Sequence, residues 1–129
     1  MNQEKPETNN VEAYPPYSGL YELKDAAKMI TSSDYKIRFV AEYVQLKIRY
    51  EKLKYLVTQW EAFNLREHNT VPELSSTYTQ RLAEWLGFLP SCPFDLLSDQ
   101  QHQMGVLLHT LEVRAVIEDI DLRLVTIKL

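Results

Sequence analysis

The sequence predicts an all-α fold built on a long antiparallel helical hairpin, and three observations lead there. Phe39, Tyr43, Leu46, Tyr50, Leu53, Val57 and Trp60 recur at alternating steps of four and three. That is the period of an apolar seam packed lengthwise on another helix. Leu97, Gln101, Met104, Leu108, Leu111, Ala115 and Glu118 repeat the alternation over a similar length. Between Asp34 and Gly87 the only Gly or Pro is Pro72, so nothing interrupts the first helix early. At 129 residues there is no room for two independent cores. The expectation is a tail over 1–18 and one helical domain over 19–129, with long helices at about 33–63 and 93–119. Two such arms expose more seam than a single hairpin covers, so the fold is expected to be oligomeric.

The elements follow in order. Residues 1–16 are polar, Asn-rich and end in Tyr14-Pro15-Pro16, which reads as a disordered or strapped tail. Leu20, Leu23, Ala27 and Ile30 have helical spacing, with Ser18 or Gly19 as the start of a short helix. Thr31-Ser32-Ser33 ends it, and Ser32, Ser33 or Asp34 can cap the long helix that follows. Asn69-Thr70-Val71-Pro72 signals a turn. Ser75-Ser76-Thr77 can cap a helix in the connection running through Leu86, with Leu82, Trp85 and Leu86 on one face and Gly87 as its terminator. Pro93 and Asp95 suit the first turn of the second long helix. Gly105 either costs that helix about 1 kcal/mol relative to Ala or lets a partner backbone come close. Residues 120–129 are β-branched and partly alternating, fit for a short strand or an extended arm. Such a strand is not stable alone and would pair with another chain or lie along a helix.

Composition narrows the function classes. A net charge of −4 argues against coating nucleic acid, which requires clustered cations. The charge is segregated: Lys36, Arg38, Lys47, Arg49, Lys52 and Lys54 lie on the first helix, while Asp95, Asp99, Glu112, Glu118, Asp119 and Asp121 face only Arg114 on and after the second. An antiparallel pair would use that opposition at its edges. Cys92 is the only cysteine, which excludes an intramolecular disulfide. No apolar run reaches the roughly 18 residues of a membrane span, and the first ten residues lack a signal-peptide core. A soluble cytoplasmic protein without membrane or nucleic-acid partners is expected.

Catalytic constellations are not found. His102 and His109 are seven apart, with His68 and Cys92 elsewhere, and none has the close spacing of zinc ligands. Cys92, between Pro90 and Pro93, fits a corner better than a nucleophile. There is no Gly-rich phosphate loop and no GxSxG, so neither an enzyme nor a cofactor is expected. The first helix offers a different chemistry. Tyr43, Lys47, Tyr50 and Lys54 share one side, flanked by Arg38, Arg49 and Lys52. Rings beside cations suit a planar base carrying phosphate, the ring stacking and the cation meeting the anion. The same tyrosines also belong to the seam, and lysines at a seam's edge commonly snorkel, so packing is the commoner meaning of such a face.

Three stretches, SDYKIRFVAEYVQLKIRYEKLKYL, FLPSCPFDLLSDQQHQM and LEVRAVIEDIDL, resemble a family of small helical proteins from phages and prophages, including crAss-like phages. Its opening helix has the form Y-x-x-R-x-x-x-E-Y-x-x-L-x-x-[KR]-x-x-K-L, met here by Tyr35, Arg38, Glu42, Tyr43, Leu46, Arg49, Lys52 and Leu53. Its closing helix carries a Gln, a Met and an L-x-x-R run, met by Gln100 or Gln101, Met104, Leu111 and Arg114. The phage anti-CBASS sponge proteins look like a branch of this group. The resemblance implies a symmetric homo-oligomer that sequesters a nucleotide second messenger, with Tyr43 as the matching tyrosine and Lys47, Lys52 and Lys54 as candidates for the lysine. The chain departs from the small sponges by an N-terminal extension of some thirty residues and a longer middle connection. The competing expectation is a helical protein–protein module for a host or phage protein, suited by tyrosines and an acidic second helix.

Overall fold

The computed structural model describes residues 19–67 and 75–129. The expected tail over 1–18, the Asn69–Pro72 turn and His68 lie outside the described residues. In chain order the elements are β1 (Gly19–Tyr21), α1 (Leu23–Met29), α2 (Tyr35–Arg66), α3 (Ser76–Leu86), α4 (Phe94–Ile117) and β2 (Val125–Ile127). The fold is mostly helical, as expected. The described residues divide into two compact units, one of residues 19–49 and 106–129 and one from Tyr50 to Gly105.

In the first unit α2 starts where its cap dictates: Asp34 Oδ1 accepts the Lys36 amide at 2.8 Å, and the Ser32 hydroxyl accepts the Asp34 amide at 3.0 Å. Phe39 and Tyr43, from the expected seam, are buried, and Val40, Val44 and Ile48 form a second row with at most 1% exposure. That row lies about 100° round the helix from the seam, so this half of α2 is enclosed on two sides. On α4, Leu108, Leu111 and Ala115 are buried and Glu118 is half-buried, as their spacing predicts. The helix closes on Asp119 at φ 59°, with the Ile120 amide donating to the Ala115 carbonyl at 2.8 Å.

Two expectations for this unit need correction. The segment read as a helix from Leu20 begins as a strand. Gly19 takes φ 141°, and the helix waits for Glu22, whose amide donates to Asp25 Oδ2 at 2.7 Å. Its buried residue is Ala26, off the Leu20–Leu23–Ala27–Ile30 spacing, and Leu20 is 60% exposed. The C-terminal strand needs neither another chain nor a helix face. It pairs in parallel with β1, Gly19 opposite Val125 and Tyr21 opposite Ile127.

In the second unit Val57 is buried, and Trp60 and Phe63 of α2 form a buried cluster with Tyr78 and Leu82 of α3. Leu86, Phe94 and Leu97 pack against that cluster. The Trp60 indole N–H donates to the Tyr78 hydroxyl at 3.0 Å, and that hydroxyl donates to Asn64 Oδ1. Ser75 caps α3 by accepting the Tyr78 amide at 2.9 Å, and Gly87 ends it at φ 86°. In each unit, positions rise along α2 as they fall along α4. Tyr35 and Phe39 meet Glu118 and Arg114 in the first, and Tyr50 and Trp60 meet Gly105 and Phe94 in the second. The helices are therefore antiparallel. Among the described residues no helix is long and apolar enough to cross a membrane.

Candidate functional site

The aromatic and cationic residues of α2 are divided between the units. Tyr43, Lys47 and Arg49 belong to the first, and Tyr50, Lys52 and Lys54 to the second. Lys47 and Tyr50 are half-buried, and Arg49, Lys52 and Lys54 are exposed.

Tyr43, 8% exposed, forms one wall of an open cavity of about 540 Å³. The floor is Ala115 and Ile120, and the rim carries Glu112, Asp119, Asp121 and Arg123. Asp121 clamps Arg123, accepting from Nη2 at 2.8 Å and Nε at 3.0 Å. These side-chain bonds, joined by the Arg123 amide, lower the Asp121 carboxyl to about 2. With the C-terminal end of α4 adding its negative partial charge, the surroundings of Tyr43 disfavour a second anion.

The second unit offers the opposite character. The Lys54 ammonium lies 6.0 Å from the centre of the Tyr50 ring, one helical turn back. Gly105 of α4 faces the same ring, where a Cβ would stand 3.2 Å from Cε1. The close approach expected at Gly105 therefore exists, with a tyrosine ring in place of a partner backbone. Among the residues expected in a ligand site, the fold holds Tyr50 and Lys54 together in a cation–ring arrangement.

Two clusters were not assigned a role by the sequence. In the first unit the Tyr35 hydroxyl donates to Glu118 Oε1 at 2.8 Å and accepts from Arg114 Nη2 at 2.7 Å, while Arg114 Nε donates to Glu118 Oε2 at 3.1 Å. The bond to Glu118 is the chief cause that raises the Tyr35 hydroxyl above its ordinary range, and the same bond is first in holding Glu118 below its own. Tyr35 and Arg114 both lie in the stretches that carry the sequence resemblance, and here they clip α2 to α4. In the second unit Trp85 was expected on the packed face of α3 beside Leu82 and Leu86. Leu82 is buried, but 40% of Trp85 stays exposed. Arg66 lies over its ring and Arg81 stands beside Glu67. The helical spacing of Trp85 signalled packing and hid this exposure. Among the described residues no three His, Cys, Asp or Glu gather as a metal site, and Cys92 is exposed and unpaired.

A family model described as Sequestin matches residues 33–83. The segment takes in all of α2 and most of α3, and leaves α4 and both strands outside. No curated protein and no solved structure matches the chain.

Proposed function

We propose that this chain is a sequestering protein, a non-enzymatic, phage-encoded binder of a nucleotide-type immune second messenger. The messenger is a cyclic oligonucleotide or an ADP-ribose-like molecule. Binding withdraws it from a host anti-phage effector in the cytoplasm of the infected cell. The observation that carries this reading is the Tyr50–Lys54 pair, a ring backed by Gly105 with an ammonium at 6.0 Å, inside the stretch that matches Sequestin. The ring supplies a stacking face and Lys54 an anion contact, with Lys52 exposed on the same helix. In the first unit Lys47 and Arg49 are proposed anion contacts, and Tyr43, whose cavity has an acidic rim, is proposed as a contact for an uncharged base only.

Sequestration asks for tight binding without turnover. Holding a messenger present at micromolar levels requires about −8 kcal/mol. One stacked base supplies roughly 1–3 kcal/mol and a charge-assisted hydrogen bond roughly 1.5–3, so several bases and phosphates must be engaged together. A homo-oligomer that repeats the site meets that requirement. Exposed Val106, Val113 and Ile117, spaced along one face of α4, give such an assembly an apolar surface. Calorimetry with cyclic di- and trinucleotides and ADP-ribose derivatives tests the reading. Wild type should bind at least one of them, Tyr50→Ala and Lys54→Gln should each weaken it about tenfold or more, and silence across the panel ends it.

The same exposed stripe on α4 favours a second reading, a module that docks on a host or phage protein. A stoichiometric protein partner retained by the Tyr43→Ala, Lys47→Ala double variant, together with no messenger binding by wild type, would establish the module instead.

A further inference from the structure

Beyond the Tyr50–Lys54 pair, the second unit holds a cavity of about 290 Å³ between the end of α2 and α3. Its walls are Phe63, Arg66, Glu67, Arg81, Glu84 and Trp85. The geometry points to a binding site here for a planar ring carrying one anionic group, as in a nucleoside monophosphate or one nucleotide unit of a larger ligand.

Trp85 is rigid and yet open. Its indole N–H donates to the Gln59 carbonyl at 3.0 Å, and Phe63 leans on it at 6.0 Å between ring centres. These contacts fix the ring plane, while 40% of the residue remains in solvent. A fixed, exposed indole presents a stacking face at little further cost in side-chain entropy. The Arg66 guanidinium lies 5.3 Å from the centre of that ring, where it can stack on an aromatic ligand or slide aside to meet its anion.

Arg81 supplies the second cation. Its Nη2 stands 2.8 Å from Glu67 Oε1, and Glu67 is only 8% exposed, whereas the Arg81 side chain is 46% exposed. Among the described residues no N–H is aimed at that buried oxygen. The pair is held by charge, and donors of the guanidinium fork stay available to a carboxylate or phosphate. Arg66 and Arg81 are balanced by Glu67 and Glu84. The wall therefore carries no net charge: one anionic group is held by guanidinium donors of Arg66 and Arg81, and a polyphosphate, whose further charges would meet Glu84, is disfavoured. The volume limits the occupant to about one nucleotide unit.

The ligand class is shared with the proposed function, but the site has residues of its own, so the two can fail separately. The test is titration of the full chain with 5′-AMP, adenosine and inorganic phosphate, read by calorimetry and by intrinsic fluorescence. 5′-AMP should bind saturably at one site per chain and quench Trp85, with adenosine and phosphate each weaker by about tenfold or more. Arg66→Gln should lower 5′-AMP affinity about tenfold. Arg81→Lys keeps the charge beside Glu67 but loses the fork, and should lower it severalfold. Trp85→Phe should abolish the quenching and weaken the binding seen by calorimetry. Absence of saturable 5′-AMP binding overturns the inference, as does binding that Arg66→Gln and Trp85→Phe leave unchanged in folded protein. Messenger binding lost in Lys54→Gln but untouched in Arg66→Gln would leave the proposed function standing without this site. 5′-AMP binding with silence across the messengers would do the reverse.

Discussion

Gly105 faces the ring of Tyr50 so closely that a Cβ at position 105 would stand 3.2 Å from Tyr50 Cε1 and 3.5 Å from its hydroxyl oxygen. Replacing Gly105 by Ala therefore sets two effects against each other. Helix propensity favours Ala by about 1 kcal/mol, while the contact requires the ring to give way by a few tenths of an ångström. Tyr50 is half-buried, so its ring has room to move. Gly105→Ala should leave stability within about 1 kcal/mol of wild type in urea unfolding, while shifting the ring and weakening the messenger binding proposed for it. Gly87 is the opposite case. Nothing lies within 4 Å of a Cβ there, yet φ is 86°. Gly87→Ala should cost about 1–2 kcal/mol from the backbone alone, and Gly87→Asn less.

The Trp60–Tyr78–Asn64 chain yields a stability prediction of a different kind. The Tyr78 hydroxyl accepts from Trp60 Nε1 and donates to Asn64, and Trp60 and Tyr78 are both at least nine-tenths buried. Tyr78→Phe keeps the ring that meets Phe63 edge-on at 5.4 Å. It leaves the indole N–H without its acceptor. The cost should be about 1–3 kcal/mol, visible as a lower urea midpoint with an unchanged slope. A change below 0.5 kcal/mol would mean that water or a shifted side chain replaces the hydroxyl.

What the sequence revealed and what it concealed follow from range. The α4 seam is legible because helical periodicity is local, and its most buried members, Leu108, Leu111 and Ala115, fall where the spacing puts them. The cap at Ser75 and the stop at Gly87 are legible for the same reason. The second buried row of α2, Val40, Val44 and Ile48, is hidden because a single-stripe reading stops at the strongest seam. β2 is legible in the β-branched run at 120–129, but β1 and the pairing are hidden because each strand has three residues and its partner lies more than a hundred positions away. In the candidate site, the Tyr50–Lys54 pair is one helical turn and can be read directly. The acidic rim around Tyr43 comes from residues 112–123, which only the folded chain brings there.

The Asp121–Arg123 clamp gives a pH prediction with a definite sign. Its hydrogen bonds lower the folded carboxyl from the ordinary 3.8 to about 2. A depressed acid contributes stability above its unfolded value and loses it as the pH falls through its folded one. The clamp should therefore hold from neutral pH to about 4, weaken below that and open near 2. Asp121 followed by carbon-detected NMR should titrate with a midpoint near 2. Arg123→Gln should return the midpoint toward the ordinary range, and a midpoint already near 4 in wild type would show that the clamp does not persist in solution.

The strand pairing yields the most direct test of how β1 and β2 meet. β2 returns to β1 through bonds at both edges of the register: the Gly19 amide donates to the Leu124 carbonyl at 3.0 Å, and the Lys128 amide to the Tyr21 carbonyl at 2.8 Å. Lys128→Pro deletes the second donor without altering the buried core, since Lys128 is exposed. A two-stranded parallel pair is marginal by itself, so losing one end should release the whole pairing. Hydrogen exchange should then accelerate over 19–21 and 124–128, while the protected centres of α2 and α4 keep their rates. Because the pairing is made within one chain, protection of these strands in wild type should not depend on protein concentration. Protection that fades on dilution would mean instead that β2 is lent to a neighbouring copy.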